Sequence, residues 1–152
     1  MHPVPRNGMK RGFASYNGPP MPVAAAFILG CIVAQASWSL LAGDSSALGA
    51  PTFRFLMLAA IEIVVAAVAF TGAMFASVRA HDLVVNVKSC AVAFFAGALT
   101  LTVAGAPYSL VPRIVPGEAQ LAILIGVAAI VSAFLGALVG AAFRTPAPSP
   151  SA

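Results

Sequence analysis

The chain has 152 residues, of which 61% are hydrophobic and 8% charged, and its mean hydropathy is +0.98. A soluble domain is about half apolar and about a quarter charged; eight Lys/Arg and four Asp/Glu cannot clothe a solvated surface. A soluble globular domain and a disordered chain are both excluded, and the net charge of +4 is of the size that encodes orientation in a membrane.

In chain order, residues 1–20 contain Pro3, Pro5, Gly8, Gly12 and Gly18-Pro19-Pro20 and read as a disordered tail. Four apolar runs follow, over 21–42, 55–78, 83–106 and 121–143. Each approaches or exceeds the roughly 20 residues that a helix needs to cross a bilayer core, and each is too long for an ordinary strand, which excludes a β-barrel. The first run is too long for a signal-peptide core and reads as an uncleaved signal-anchor. The linkers are short. Gly43 to Arg54 and Pro107 to Gln120 carry turn chemistry in Gly43-Asp44-Ser45, Gly49-Ala50-Pro51 and Pro116-Gly117, and Arg79 to Asp82 forms a tight hairpin connection. Residues 144–152 are Pro/Ser-rich and read as a second disordered tail. The expectation is an all-α, four-helix integral membrane bundle forming one domain.

An even number of spans puts both tails and the Arg79–Asp82 turn on one side. That side holds Arg6, Lys10, Arg11, Arg79, Lys88 and Arg144, against Arg54 and Arg113 on the other. The positive-inside rule then places both tails inside. Residues 1–43 contain no acid, and Arg11-Gly12-Phe13-Ala14-Ser15 is similar to a mitochondrial presequence cleavage site. Pro3, Pro5 and Gly8, however, would break the amphipathic helix that such a presequence requires.

Ionisable groups inside a membrane are costly and default to functional readings. Glu62 lies about 10 Å inside the second span at 1.5 Å rise per residue, and Gln35 in the first span reaches a similar depth. With Thr100 and Thr102 of the third span they form a candidate intramembrane polar cluster. Its functional reading is a proton or cation site built around Glu62. The favoured reading is hydrogen-bonded glue between helices, about 0.6 to 2 kcal/mol per bond, because one acid without partner acids makes a poor ion pathway. Lys88 can extend its ammonium to the headgroups, and Asn86 can cap a helix or bond a neighbour. His81-Asp82 has no further ligand at metal spacing, and Cys31 and Cys90 act as small apolar residues, so no metal or cofactor is expected. Nucleophile elbow, HExxH, P-loop and Rossmann signatures are absent, and no basic-aromatic stripe suggests nucleic acid. The chain reads as non-catalytic.

Small residues recur every four positions in the fourth span as Ala128, Ser132, Gly136 and Gly140, with Ala129, Ala133, Ala137 and Ala141 beside them. Ala26, Gly30 and Ala34 repeat the pattern in the first span, and Ala93 and Gly97 in the third. Such spacing lets helix backbones approach closely. Contacts within the bundle are the favoured use, ahead of association between chains.

The Phe53-Arg54-Phe55 opening of the second span, the run Asp82-Leu83-Val84-Val85-Asn86 and the following Ala93-Phe94-Phe95-Ala96-Gly97 resemble the four-span MARVEL superfamily, which includes synaptophysin-type vesicle proteins and Casparian-strip-like membrane proteins. The resemblance covers about Met21 to Arg144. The Casparian branch carries an Arg in the first span and an Asp in the third; here Gln35 stands in the first, and Asp82 precedes the third. The resemblance implies membrane apposition, vesicle traffic or scaffold assembly in a plasma or vesicle membrane, without catalysis or cofactor. The implied partners are the lipid bilayer, further copies of the chain, or other membrane proteins. Two alternatives remain: an accessory subunit of a large membrane complex, in the mitochondrial inner membrane for instance, and a small transporter component using Glu62.

Overall fold

The structure, a computed structural model, describes residues 16–17, 20–41, 53–78, 82–110 and 117–145. The described residues form four helices, α1 (Met21–Leu41), α2 (Phe53–Ser77), α3 (Val87–Leu110) and α4 (Gly117–Ala142), and two short strands, β1 (Tyr16–Asn17) and β2 (Val84–Val85). All four helices are long and apolar enough to cross a membrane. The chain is an all-α four-helix bundle with the character of a multi-pass membrane protein. Within a bilayer this is the solution that backbone chemistry demands, since helices satisfy their N–H and C=O groups internally.

The helix starts follow from local chemistry. Pro22 stands in the first turn of α1, where its missing N–H costs no intrahelical bond, and the Pro20 carbonyl accepts from the amides of Val23 and Ala24, both at 3.0 Å. At α3, Asn86 and Ser89 cap reciprocally. The Ser89 amide donates to Asn86 Oδ1 at 2.8 Å and the Asn86 amide donates to Ser89 Oγ at 2.9 Å. This is the reciprocal arrangement of a capping box, with Asn in the N-cap position.

That cap sets a boundary differently from the sequence reading. The third span was expected from residue 83, but α3 starts at Val87 because the four residues before it are spent on extended structure. β2 pairs antiparallel with β1, Tyr16 opposite Val85 and Asn17 opposite Val84. On the other side Leu83 bridges Arg144, the Val84 amide donates to the Phe143 carbonyl at 2.9 Å, and the Thr145 amide donates to the Asp82 carbonyl at 2.8 Å. Thr145 Oγ1 adds a second bond to that carbonyl, also at 2.8 Å. Residues 82–86 are therefore a strap across the bundle end, held from both sides; Arg79 to His81, on which the expected tight connection falls, lie outside the described residues. Tyr16 and Asn17 also correct the expectation that all of residues 1–20 are disordered; residues 1–15, like 146–152, lie outside the described residues.

The strap fixes helix direction. It gathers the start of α1, the end of α2, the start of α3 and the end of α4 at one end, so successive helices run in opposite directions. The main packing partners are α1 with α3 and α2 with α4, each a parallel pair; α3 with α4 and α1 with α2 close the ring. Consecutive helices α2 and α3 thus stand across a diagonal, a placement that an extended link permits and a tight hairpin would not.

Glycine makes the two parallel pairs possible. A Cβ built on Gly30 would collide with the Phe94 carbonyl oxygen, and one built on Gly97 with the Phe27 carbonyl oxygen, so α1 and α3 cross backbone against backbone. Across the other pair, a Cβ on Gly136 would strike the Phe70 carbonyl and one on Gly140 would meet Ser77 Oγ and lie 2.9 Å from the Met74 carbonyl oxygen. Gly30, Gly97, Gly136 and Gly140 are all buried and used inside the chain, as the favoured reading of these rows expected. Between the pairs, the Phe27 and Phe70 rings stack with centroids 4.1 Å apart and planes 18° off parallel. Their carbonyls receive the glycines and their rings join the two halves.

Candidate functional site

The stacked rings level α1 against α2. Eight residues beyond Phe27 in α1 is Gln35, and eight before Phe70 in α2 is Glu62, so in this antiparallel pair they share one height. The glycine crossings level the other helices. Gly97 against Phe27 and Gly30 against Phe94 bring Thr100 to within a residue or two of that height. Gly136 against Phe70 puts Ala128 level with Glu62 and Ser132 one turn nearer the rings, about 6 Å at 1.5 Å per residue.

Glu62 is 5% exposed, and Thr100 and Ser132 are fully buried. Cys31, one turn nearer the rings than Gln35 on α1, is fully buried, and its Sγ donates to the Gly97 carbonyl at 3.5 Å. Gln35 is half-buried and engaged. Of the polar residues expected to cluster, Glu62 and Thr100 are buried and Gln35 half-buried at about one height. Thr102 is the exception and corrects that reading: it is exposed and its Oγ1 donates to the Ala98 carbonyl at 2.8 Å. Two residues advance a helix by about 200°, so Thr100 and Thr102 cannot both face the core.

The hydroxyls show what is distinctive about Ser132. Ser37, Thr71, Ser77, Thr100 and Thr102 each donate to a carbonyl three or four residues back on their own helix, at 2.7–2.9 Å. Ser132 does not. Its Oγ is buried without a hydrogen-bond partner, and so is Glu62 Oε1. Sequence reading placed Ser132 only in the small-residue row. The signal available was its position: one turn from the acid's level on the helix that pairs with α2.

Towards the strap the interior changes character. Phe27 and Phe70, then Met74, Val23, Val139 and Leu83, are buried and apolar. Ser89 is the buried polar residue there among the described ones, and it is consumed by the α3 cap. Glu62, Thr100, Cys31 and Ser132 thus occupy the half of the bundle away from the strap, closed at the bottom by stacked rings.

While Arg54 and Glu118 stand near the starts of α2 and α4 at the other end, the strapped end carries several of the remaining described charges. Lys88 and Arg144 are exposed there, on the side to which the orientation reading assigned them; Arg6, Lys10, Arg11 and Arg79 lie outside the described residues. An open groove of about 280 Å³ is lined there by Phe75, Ala76, Ser77, Val78, Asp82 and Arg144. Cys31 is a buried free thiol and Cys90 a half-buried one. Among the described residues no group of three His, Cys, Asp or Glu is placed to hold a metal ion. Comparison with protein-family models, with curated proteins and with solved structures finds no match to this chain.

Proposed function

We propose that the chain is a non-catalytic tetraspan membrane protein that organises its membrane through lateral contacts within the bilayer, with both tails inside and in a plasma or vesicle membrane. The observation that carries this reading is how the helix surfaces are used. Each close-packing seam that the sequence offers, at Gly30, Gly97, Gly136 and Gly140, is turned inward. What the bundle presents outward is large and apolar on all four helices, including Leu29, Val68, Phe95, Ile130 and Phe134. A body of this kind, with short polar ends, meets other molecules sideways, through lipid-exposed faces. The gathering of both chain ends at one end of the bundle, implied by the strap, supports the MARVEL-type kinship, and Lys88 and Arg144 at that end support the inside orientation.

Association through outward faces gives a specific expectation. On α4, Ile130, Phe134 and Leu138 form one exposed row at four-residue spacing. Full-length protein in mild detergent or lipid nanodiscs should form homo-oligomers or retain other membrane proteins, and Phe134→Ala with Ile130→Ala should weaken them without unfolding the chain. A strictly monomeric chain that retains no partner would refute the proposal. Stoichiometric recovery with many subunits of one energy-converting complex would transfer the chain to the accessory-subunit reading.

A further inference from the structure

We propose that Glu62 and Ser132 form an internal site for a small monovalent cation, a proton or a sodium ion, reached from the end of the bundle away from the strap and closed at the Phe27–Phe70 layer. The proposal is independent of lateral association. It starts from two buried oxygens, Glu62 Oε1 and Ser132 Oγ, that have no hydrogen-bond partner. In a medium without water, an ionised carboxylate with one oxygen left unbonded is costly, and an unbonded hydroxyl costs about 1–3 kcal/mol. A folded bundle keeps both only if something outside the chain's own inventory satisfies them.

The chain's own cations do not. Of the described cations, Lys88 and Arg144 sit at the strapped end beyond the apolar layer, and Arg54 stands eight residues before Glu62 in α2, about 12 Å along the helix axis. The described polar groups of the other three helices nearest the height of Glu62 are neutral: Gln35 and, one turn nearer the rings, Cys31 on α1, Thr100 on α3, and Ser132 one turn nearer the rings on α4. Thr100, fully buried, spends its proton on the Ala96 carbonyl at 2.9 Å, which leaves its oxygen only as an acceptor. Ser132 departs from the back-bonded habit of the other described helix hydroxyls and leaves its oxygen without a partner. One negative oxygen with neutral oxygens around it matches a single positive charge. A divalent or transition metal would want further carboxylate, His or thiolate ligands, and no such group of three exists among the described residues.

The closed lower end sets the behaviour. The stacked rings at 4.1 Å, with Gly97 and Gly136 pressed against the carbonyls of the same two residues, leave an apolar layer across which a cation would have to be stripped of all ligands. The site therefore binds and releases from one face; it does not conduct.

The test uses full-length protein in phosphatidylcholine vesicles and a membrane-soluble carbodiimide, which modifies a protonated carboxyl in an apolar setting and is read by mass spectrometry. Glu62 should be labelled in the wild-type chain and unlabelled in Glu62→Gln. A sodium site predicts that added Na⁺ slows labelling several-fold at constant pH. A proton site predicts no effect of Na⁺ and a fall in labelling as pH rises. Ser132→Ala, a small change in a row already rich in alanine, should keep the helical spectrum while weakening Na⁺ protection or moving the pH midpoint. Three results would overturn the proposal: labelling indifferent to both Na⁺ and pH, no labelling of a folded wild-type chain at any pH, or an unaltered response in Ser132→Ala. A cation flux across the vesicles that is lost in Glu62→Gln would overturn the closed end.

Discussion

Gly136 and Gly72 offer a paired measurement of what the helix crossings are worth. Both lie in the middle of long helices, and alanine adds the same methyl group to each. At Gly136 that methyl group lands on the Phe70 carbonyl, 2.9 Å from its carbon and 3.0 Å from its Cα, whereas at Gly72 nothing stands within 4 Å. The obstacle at Gly136 is backbone, so relief requires α2 and α4 to separate, and overpacking of this kind costs about 1–3 kcal/mol. Against it stands the ordinary gain of alanine over glycine in a helix, about 0.5–1 kcal/mol. In lipid that gain shrinks, because the separated state keeps its helices. Whatever its size, it is common to both sites and cancels in the difference. Gly136→Ala should therefore be less stable than Gly72→Ala by about 1–3 kcal/mol, a factor of roughly 5 to 150 in the unfolding equilibrium. Equilibrium unfolding of the two variants in mixed micelles, followed by helicity and by Trp38 fluorescence, reads this directly. Equal stabilities would refute the parallel α2–α4 crossing, and with it the helix order around the bundle.

Three further outcomes follow from single contacts. Phe27→Leu and Phe70→Leu in a double-mutant cycle should show a coupling of about 0.5–1.5 kcal/mol, and a coupling of zero would separate the two helix pairs. Asn86→Ala removes both Oδ1 and its bond to the Ser89 amide; it should cost about 1 kcal/mol and speed hydrogen exchange at Ser89 and Cys90 ahead of the rest of α3. Thr145→Val deletes the hydroxyl bond to the Asp82 carbonyl but keeps the backbone bond, so the strap should loosen by about 0.5–1.5 kcal/mol. That change is visible as faster exchange of the Val84 and Thr145 amides with α1 unchanged.

The bundle itself was legible because lipid leaves few alternatives: an apolar run of adequate length must be a helix, whatever its faces do. Helix order was not legible, for the same reason. The spans are apolar all round, so periodicity says nothing about which side meets which neighbour. Only the glycines carried that information. The rows at Gly30, Gly97 and Gly136–Gly140 announced close approach, but not that it would be parallel and between non-consecutive helices. The expected start of the third span failed at Leu83-Val84-Val85. Those residues are as apolar as the span that follows and were counted into it, although they are β-branched or bulky and end at an Asn able to cap. Their hydrogen bonds depend on Tyr16, Asn17 and the residues after α4, which no local window contains.

The polar interior tells the complementary story. Depth counting along two antiparallel spans brought Glu62 and Gln35 to one height, because rise per residue is the same in every helix. It put Thr102 with them because depth says nothing of angle, and 200° separates it from Thr100. Ser132 was passed over for the opposite reason. In a row of alanines and glycines a serine reads as one more small side chain, and serine can hide its hydroxyl on the preceding turn. Whether it does so is a rotamer choice, and here the hydroxyl is left open, as is a carboxylate oxygen of Glu62, one turn away in height on α2. Five other described helix hydroxyls satisfy themselves locally, so the two oxygens that do not are where the described interior departs from simple packing, and they sit in the half that the aromatic stack separates from the strap.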